Sequence, residues 1–368
     1  MADKMIPAAK PIVGDEERAA VDAVLASGML AQGPEVAAFE QEFSAELLNG
    51  RECVAVNSGT SGLHLGLLAS GIGAGDEVIV PSFTFAATAN AVALTGATPV
   101  FADIDPVTFC LDPASVRSLI TERTKAVMPV HLYGHPADMD SFQGFADEHG
   151  IQIFEDAAQA HGATWQGARV GTFGTFAMFS LYPTKNMTSG EGGMVSAAGP
   201  EVVRALRLLR NQGMLQQYAN EVIGFNARMT DVHAAIGRVQ LRKLAGWTVQ
   251  RQSNAAYLTE HLRGVGVPRI LPGATHVFHQ YTIRVRGGAA ERDRFATALR
   301  EEFQVGCGVY YPTPCHRLES LKHFELRAEL PQTDLAAAEV LSLPVHPSLE
   351  QADLDRIVTA VNSLSGAN

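Results

Sequence analysis

The chain has 368 residues, 46% of them hydrophobic, and carries a formal net charge of -11 from 39 acidic and 28 basic side chains. That length suggests two or three folding units, two being the simplest division. The acidic balance, with no long Lys/Arg run, argues against nucleic acid or an anionic membrane as the main partner. No apolar leader opens the sequence and no run of about eighteen uncharged apolar residues occurs, so a cytoplasmic protein is expected.

From Val54 to Ser196 short apolar runs alternate with amphipathic stretches: CVAVN, DEVIVPS, TPVFADI, KAVMPVHL, IQIFED, FAMFS and GMVSA. This alternation predicts an α/β fold built on a mostly parallel central sheet. The first five runs end in polar or small residues, and ligands collect at the carboxyl ends of such strands, so functional residues are expected just beyond them. From Val202 to Arg251 apolar residues recur at three- and four-residue spacing, as in VVRALRLLR and DVHAAIGRVQLRKLAGW, which predicts helices. Beyond about residue 250 the texture changes: HQYTIRV and CGVYYP read as strands, AAERDRFATALREEF and LEQADLDRIVTAVNSL as exposed helices. The expected division is a large domain over 1–250 and a smaller α+β C-terminal domain over 251–368.

Cys53, Cys110, Cys307 and Cys315 lie far apart, without the spacing of a zinc site or a disulfide framework, so no metal is expected. His131 and His161 are expected to be structural, and His279 and Tyr281 to pack between the domains.

Three local patterns carry chemistry. Of the lysines Lys4, Lys10, Lys125, Lys185, Lys243 and Lys322, only Lys185 follows a buried-strand run, FAMFSLY, and precedes a glycine-rich loop, NMTSGEGG. A desolvated lysine becomes a neutral amine that can attack a carbonyl, although a surface loop lysine fits the same local pattern. Asp156, at the end of IQIFED, could hold a pyridinium nitrogen protonated or cap the next helix. The turn Ser58-Gly59-Thr60 opens an apolar helix and suits either a phosphate group or plain capping. Their order, each after its own strand at one sheet edge, favours a single cofactor site.

In combination with FEQEF, GDEVIVPSFTFAATANAV, VHLYGH, EDAAQAHGA, LRNQGM, GFNARMTDVHAAIGRVQLRKL and YYPTPCH, these residues resemble the DegT-type (DegT/StrS) nucleotide-sugar aminotransferases, and the likeness runs over nearly the whole chain. These are pyridoxal 5'-phosphate (PLP) enzymes of the aspartate-aminotransferase-like fold. The resemblance implies that Lys185 is the Schiff-base lysine and Asp156 the partner of the pyridine nitrogen. It places Gln159 near the phenolic oxygen, Phe85 over the pyridine face, and Ser58, Gly59, Thr60 and Ser180 around the phosphate. Asn226 would be lent to the phosphate by a neighbouring subunit, making a homodimer with shared active sites. Arg228, Tyr311 and His316 are the implied substrate contacts.

The implied reaction moves an amino group from glutamate to a nucleotide-linked keto sugar, with Lys185 as general acid/base. Relatives with histidine in place of the lysine act as sugar dehydratases, and this chain keeps the lysine. TKNMTSGEGG is more like the carbon-4 aminotransferases than the carbon-3 ones, which points to dTDP-4-keto-6-deoxyglucose. The rivals are a same-fold aminotransferase on another ketone, such as an inositol ketone, a non-catalytic PLP-binding regulator, and a nicotinamide-dependent oxidoreductase. The missing dinucleotide fingerprint counts against the last.

Overall fold

The computed structural model describes residues 5–366; Lys4 lies outside them. All seven apolar runs become strands of one sheet: β1 (Cys53–Val56), β2 (Glu77–Pro81), β3 (Thr98–Ala102), β4 (Thr124–Val127), β5 (Gln152–Asp156), β6 (Phe176–Ser180) and β7 (Gly193–Ala197). Their spatial order is β1-β7-β6-β5-β4-β2-β3. The five pairing strands from β3 to β6 run parallel, whereas β7 runs antiparallel to both β6 and β1. The strands are short and apolar on both faces because helices cover the sheet on each side, which is why alternation is absent from their sequences.

Helix α1 (Gly59–Ala69) follows β1 and lies directly on β6. A Cβ at Gly66 would sit 2.5 Å from the Phe176 ring and one at Gly62 2.8 Å from Met178, so these glycines let the helix approach the sheet. That contact sets the height of the helix N-terminus against the end of β6. Helix α2 (Ala87–Leu94) follows β2, α3 (Met139–His149) precedes β5, and α4 (Pro200–Arg210) follows β7.

The 31-residue helix α5 (Asp231–His261) begins with Thr230 accepting a hydrogen bond from the His233 amide, a hydroxyl N-cap. Residues 250 and 251 lie inside it. Its last turns, through Ala255 and Leu258, join a C-terminal apolar cluster with Phe295, Leu341 and Ile357. Ile6 of the N-terminal arm belongs to that cluster too, while Leu321 and Leu330 pack into the core under α1. Packing therefore interlaces the two halves of the chain.

HQYTIRV forms β8 (Tyr281–Arg284), paired antiparallel with β9 (Val340–Leu343). Flanking helices are α6 (Ala289–Glu301), α7 (Pro331–Glu339) and α8 (Gln351–Leu364). CGVYYP does not form the expected strand: it adds one bridge, Gly308 to Ser342. The prolines at 312 and 314 cannot donate to a ladder, and the segment instead carries Tyr310 and Tyr311 to the cavity wall. The stretch after it is clamped onto β2 by Arg327, whose guanidinium donates to both carboxylate oxygens of buried Glu77 and, with Thr121 and Arg123, holds that carboxyl down at about 2.

Candidate active site

A cavity of about 480 Å³ opens at the carboxyl ends of β1, β5 and β6. Because α1 starts where β1 ends, the amides of Gly59 and Thr60 in its first turn have no partner within the helix and face this space. Ser58 caps the turn, its hydroxyl accepting from the Ser61 amide at 3.1 Å. Gly59 lets β6 approach closely: a Cβ there would stand 3.3 Å from Ser180 Oγ and 3.1 Å from Ser180 Cβ, a tight fit. Hydroxyls from two strands thus meet helix amides, a combination suited to a phosphate group.

Asp156 ends β5 and is buried. One carboxylate oxygen accepts from Thr88 Oγ1 at 2.8 Å and the other from the Ala158 amide at 3.1 Å. Burial raises its pKa, and the two hydrogen bonds and the charge of Lys185 oppose the rise. Thr88 was not singled out from the sequence. It stands one helical turn after Thr84, with which it shares a hydrogen bond, and that spacing beyond a strand end was the available signal.

Lys185 stands on the loop that joins β6 to β7. Its exposed surface faces the cavity, and burial pushes its amine from 10.5 down to about 8 against the pull of Asp156. Hydrogen bonds tie this loop to its neighbours. Thr188 Oγ1 donates to the Leu181 carbonyl and accepts from the Gly190 amide, and Asn186 is tied to the Val277 carbonyl and to His279 Nδ1. Glycines serve close packing where the loop meets β7: a Cβ at Gly192 would lie 2.6 Å from Met229 Cε, and one at Gly193, the first residue of β7, 2.8 Å from the Ser58 carbonyl.

These values have a testable consequence in the cofactor-free protein. In the folded chain Lys185 loses its proton near pH 8, in the unfolded chain near 10.5, so the unfolded state binds more protons between those values. Stability contributed by this group is expected to rise with pH across that window. Denaturant unfolding at several pH values should show the slope in the wild type and lose it in Lys185→Met.

Phe85 is 58% exposed and lines the cavity, its ring centroid 6.0 Å from that of Tyr311. Gln159 is fixed at both ends, its Oε1 accepting from the Tyr133 amide at 2.7 Å and its Nε2 donating to Tyr311 Oη at 3.1 Å. One Nε2 proton remains for a ligand oxygen. The structure therefore brings Ser58, Gly59, Thr60, Phe85, Asp156, Gln159, Ser180, Lys185 and Tyr311 to one space.

Three expected contacts lie elsewhere. Asn226 is exposed, on a segment bridged to Asn211, and Arg228 donates to Asn211 Oδ1 at 2.8 Å. His316 sits behind the wall, its Nδ1 2.6 Å from Ser82 Oγ. Conversely, His279 lines the cavity while Tyr281 is buried away from it, its hydroxyl 2.9 Å from that of Thr259. His131 Nδ1 accepts from the Ala137 amide and its Nε2 donates to the buried Glu155 carboxylate at 3.2 Å, a structural pairing. His161 is packed among Phe43 and Phe179. Cys315 is buried, with its thiol pushed up to about 12, so it is no nucleophile beside His316. Among the described residues no cluster could hold a metal ion, and no helix is long and apolar enough to cross a membrane.

A helix N-terminus with hydroxyls, a cavity lysine made readily neutral, a buried carboxylate whose facing cation is that lysine, and an exposed ring fit PLP, which needs an anion site, a Schiff-base amine, a counter-charge and a flat stacking surface.

Comparison with known proteins agrees with this fit. Residues 11–362 match the DegT/DnrJ/EryC1/StrS aminotransferase family. The chain is 43% identical to a dTDP-3-amino-3,4,6-trideoxy-alpha-D-glucose transaminase of Streptomyces venezuelae, over 94% of this chain and 91% of that protein. It superposes on the X-ray structure of DesV from S. venezuelae with a TM-score of 0.89 at 42% identity, covering 95% of this chain and 94% of that one. The PLP form of a sugar aminotransferase from Streptococcus pneumoniae gives 0.91 at 26% identity, covering 98% and 99%. The chain belongs to the DegT/DnrJ/EryC1/StrS aminotransferase family, PLP-dependent enzymes of the aspartate-aminotransferase-like fold that aminate nucleotide-linked sugars.

Proposed function

We propose that this enzyme transfers an amino group from glutamate to a nucleotide-linked keto sugar, dTDP-4-keto-6-deoxyglucose, within a homodimer whose subunits share their active sites. The observation that carries the reading is the facing pair of Lys185, whose amine is held near 8, and buried Asp156 in a cavity closed at one end by the Ser58-Gly59-Thr60 turn. Bound there, PLP would supply an electron sink for the charge that develops at the reacting carbon. Ser58, Thr60 and Ser180 would hold its phosphate with the amides of Gly59 and Thr60. Asp156 would keep the ring nitrogen charged, Gln159 would donate to the phenolic oxygen, and Phe85 would cover one ring face. Lys185, once released, would take the proton from the donor's α-carbon and pass it to the cofactor, and would carry out the opposite transfer for the sugar. Tyr311 stands beside Gln159 and would meet the substrate; Arg228 and His316 would act from outside the cavity wall.

The carbon aminated has two readings. TKNMTSGEGG supports carbon 4, whereas the 43% identity to a 3-amino sugar transaminase supports carbon 3. Offering the purified enzyme glutamate with the 4-keto sugar, the 3-keto sugar and an inositol ketone, and detecting amine by mass spectrometry, separates them. Amination of the inositol ketone alone would remove the sugar assignment.

The dimer reading rests on the segment around a short hairpin (Met214–Gln216 with Ala219–Asn220), where Tyr218 is 86% and Ile223 93% exposed beside Leu215, Val222 and Phe225. Such a contiguous apolar patch suits burial against a second copy. Asn226 follows it immediately and, in this reading, would be lent to the partner's phosphate turn. Asn226→Ala is expected to lose PLP on dialysis several times faster than the wild type. Mixing it with Lys185→Ala should restore part of the activity, because one of the two hybrid sites would then carry both intact residues; no restoration in a mixed dimer would count against shared sites. The 1–250 and 251–368 division is retained as a proposal, with α5 as the element common to both parts.

A further inference from the structure

Arg251, on α5, lines the cavity but is only 7% exposed. Its Nη1 donates to the carbonyls of Phe278 at 3.2 Å and His279 at 3.4 Å, and its Nε has no partner. No carboxylate among the described residues pairs with it. Burial lowers its pKa to about 10, so it stays charged at neutral pH. A buried cation without a counter-ion is unfavourable, and such a group on a cavity wall is explained when an anionic ligand completes it.

The surroundings narrow the ligand. Arg251 and Lys185 are the two cations among the described cavity-lining residues, since burial holds His279 well below its ordinary value and His346 at about 4. Lys185 is committed to the cofactor. His346 Nε2 lies 3.1 Å from the Pro7 carbonyl and its Nδ1 is unpartnered. A nucleoside diphosphate is long and must extend toward the mouth, where Phe85 and Tyr182 are 58% and 48% exposed. Arg251 shows only 7% of its surface, enough to meet one small anionic group, and a guanidinium suits a carboxylate.

We infer that Arg251 is the subsite that binds a carboxylate of the amino donor. This rests on the amino-transfer reading and adds to it a specificity determinant for an acidic donor.

The test is calorimetric titration of the PLP-loaded enzyme with glutarate, a dicarboxylate that lacks the reacting amine, and separately with dTDP. Arg251→Gln is expected to weaken glutarate binding by about 10- to 100-fold, the range of a lost charged hydrogen-bonding partner, and to leave dTDP binding within about twofold. Arg251→Lys, which keeps the charge but not the fork, should fall between and decides the matter if Arg251→Gln does not fold. In turnover, KM for glutamate should rise while KM for the keto sugar stays unchanged. The inference is overturned if a folded variant binds glutarate as tightly as the wild type, if the wild type does not bind glutarate, or if dTDP affinity falls instead, which would mark a phosphate subsite. Glutarate binding that depends on Arg251 in an enzyme that aminates no keto sugar would sink the functional reading and leave this one standing.

Discussion

Lys185→Ala is expected to abolish amino-group transfer, with kcat down by roughly 10⁴-fold or more, because proton transfer by a positioned base is itself worth up to about that factor. The fold should survive. The Lys185 amine makes no hydrogen bond to the protein, and only its backbone amide is engaged, with the Tyr182 carbonyl. Removing the side chain also removes a cation that burial disfavours, so the cofactor-free variant should be at least as stable as the wild type at pH 7. Phosphate contacts from the Ser58-Gly59-Thr60 turn remain, so weak PLP binding should persist. Borohydride reduction of the loaded wild type followed by peptide mapping checks the assignment directly: the label belongs on Lys185, and a label on any other lysine refutes it.

Asp156→Asn is the second large effect, expected to lower kcat on the order of 10²- to 10³-fold, the size seen when one preorganised electrostatic partner is lost. The amide is isosteric with the carboxylate, but its single oxygen can accept from Thr88 Oγ1 or from the Ala158 amide and not from both, so circular dichroism should show the fold intact with a modest loss of thermal stability. Two further signs follow. Asp156 raises the Lys185 pKa, so in the cofactor-free variant that pKa should fall below 8. Thr88 stabilises the ionised carboxylate, so Thr88→Val should raise the Asp156 pKa further and reproduce part of the kinetic loss. An unchanged kcat in a folded Asp156→Asn enzyme would remove this carboxylate from the chemistry.

Much of the architecture was legible because its causes are local. β2, β4 and β5 are apolar runs long enough to cross a covered sheet, and each is followed by a helix or turn whose composition says so. CGVYYP was misread because its aromatic and β-branched content resembles a strand, whereas its prolines and its neighbours β8 and β9 allow only one bridge. Arg251 was invisible for a related reason. WTVQRQSN looks like the polar face of a surface helix, and only the folding of residues 276–279 over α5 buries that guanidinium beside the cavity. The positions of Thr88 and His279 also depended on distant partners, 68 residues away at Asp156 and 93 residues away at Asn186.

The sequence by itself determined the strand runs, the lysine, the acid and the phosphate turn, and the order in which they occur, because hydrophobic periodicity and capping chemistry act over a few neighbouring residues. Only the tertiary structure decided which groups are buried, which cation lacks a counter-ion, and that Lys185 sits near neutrality. Burial and charge depend on atoms brought together from distant parts of the chain, and no local pattern encodes that encounter.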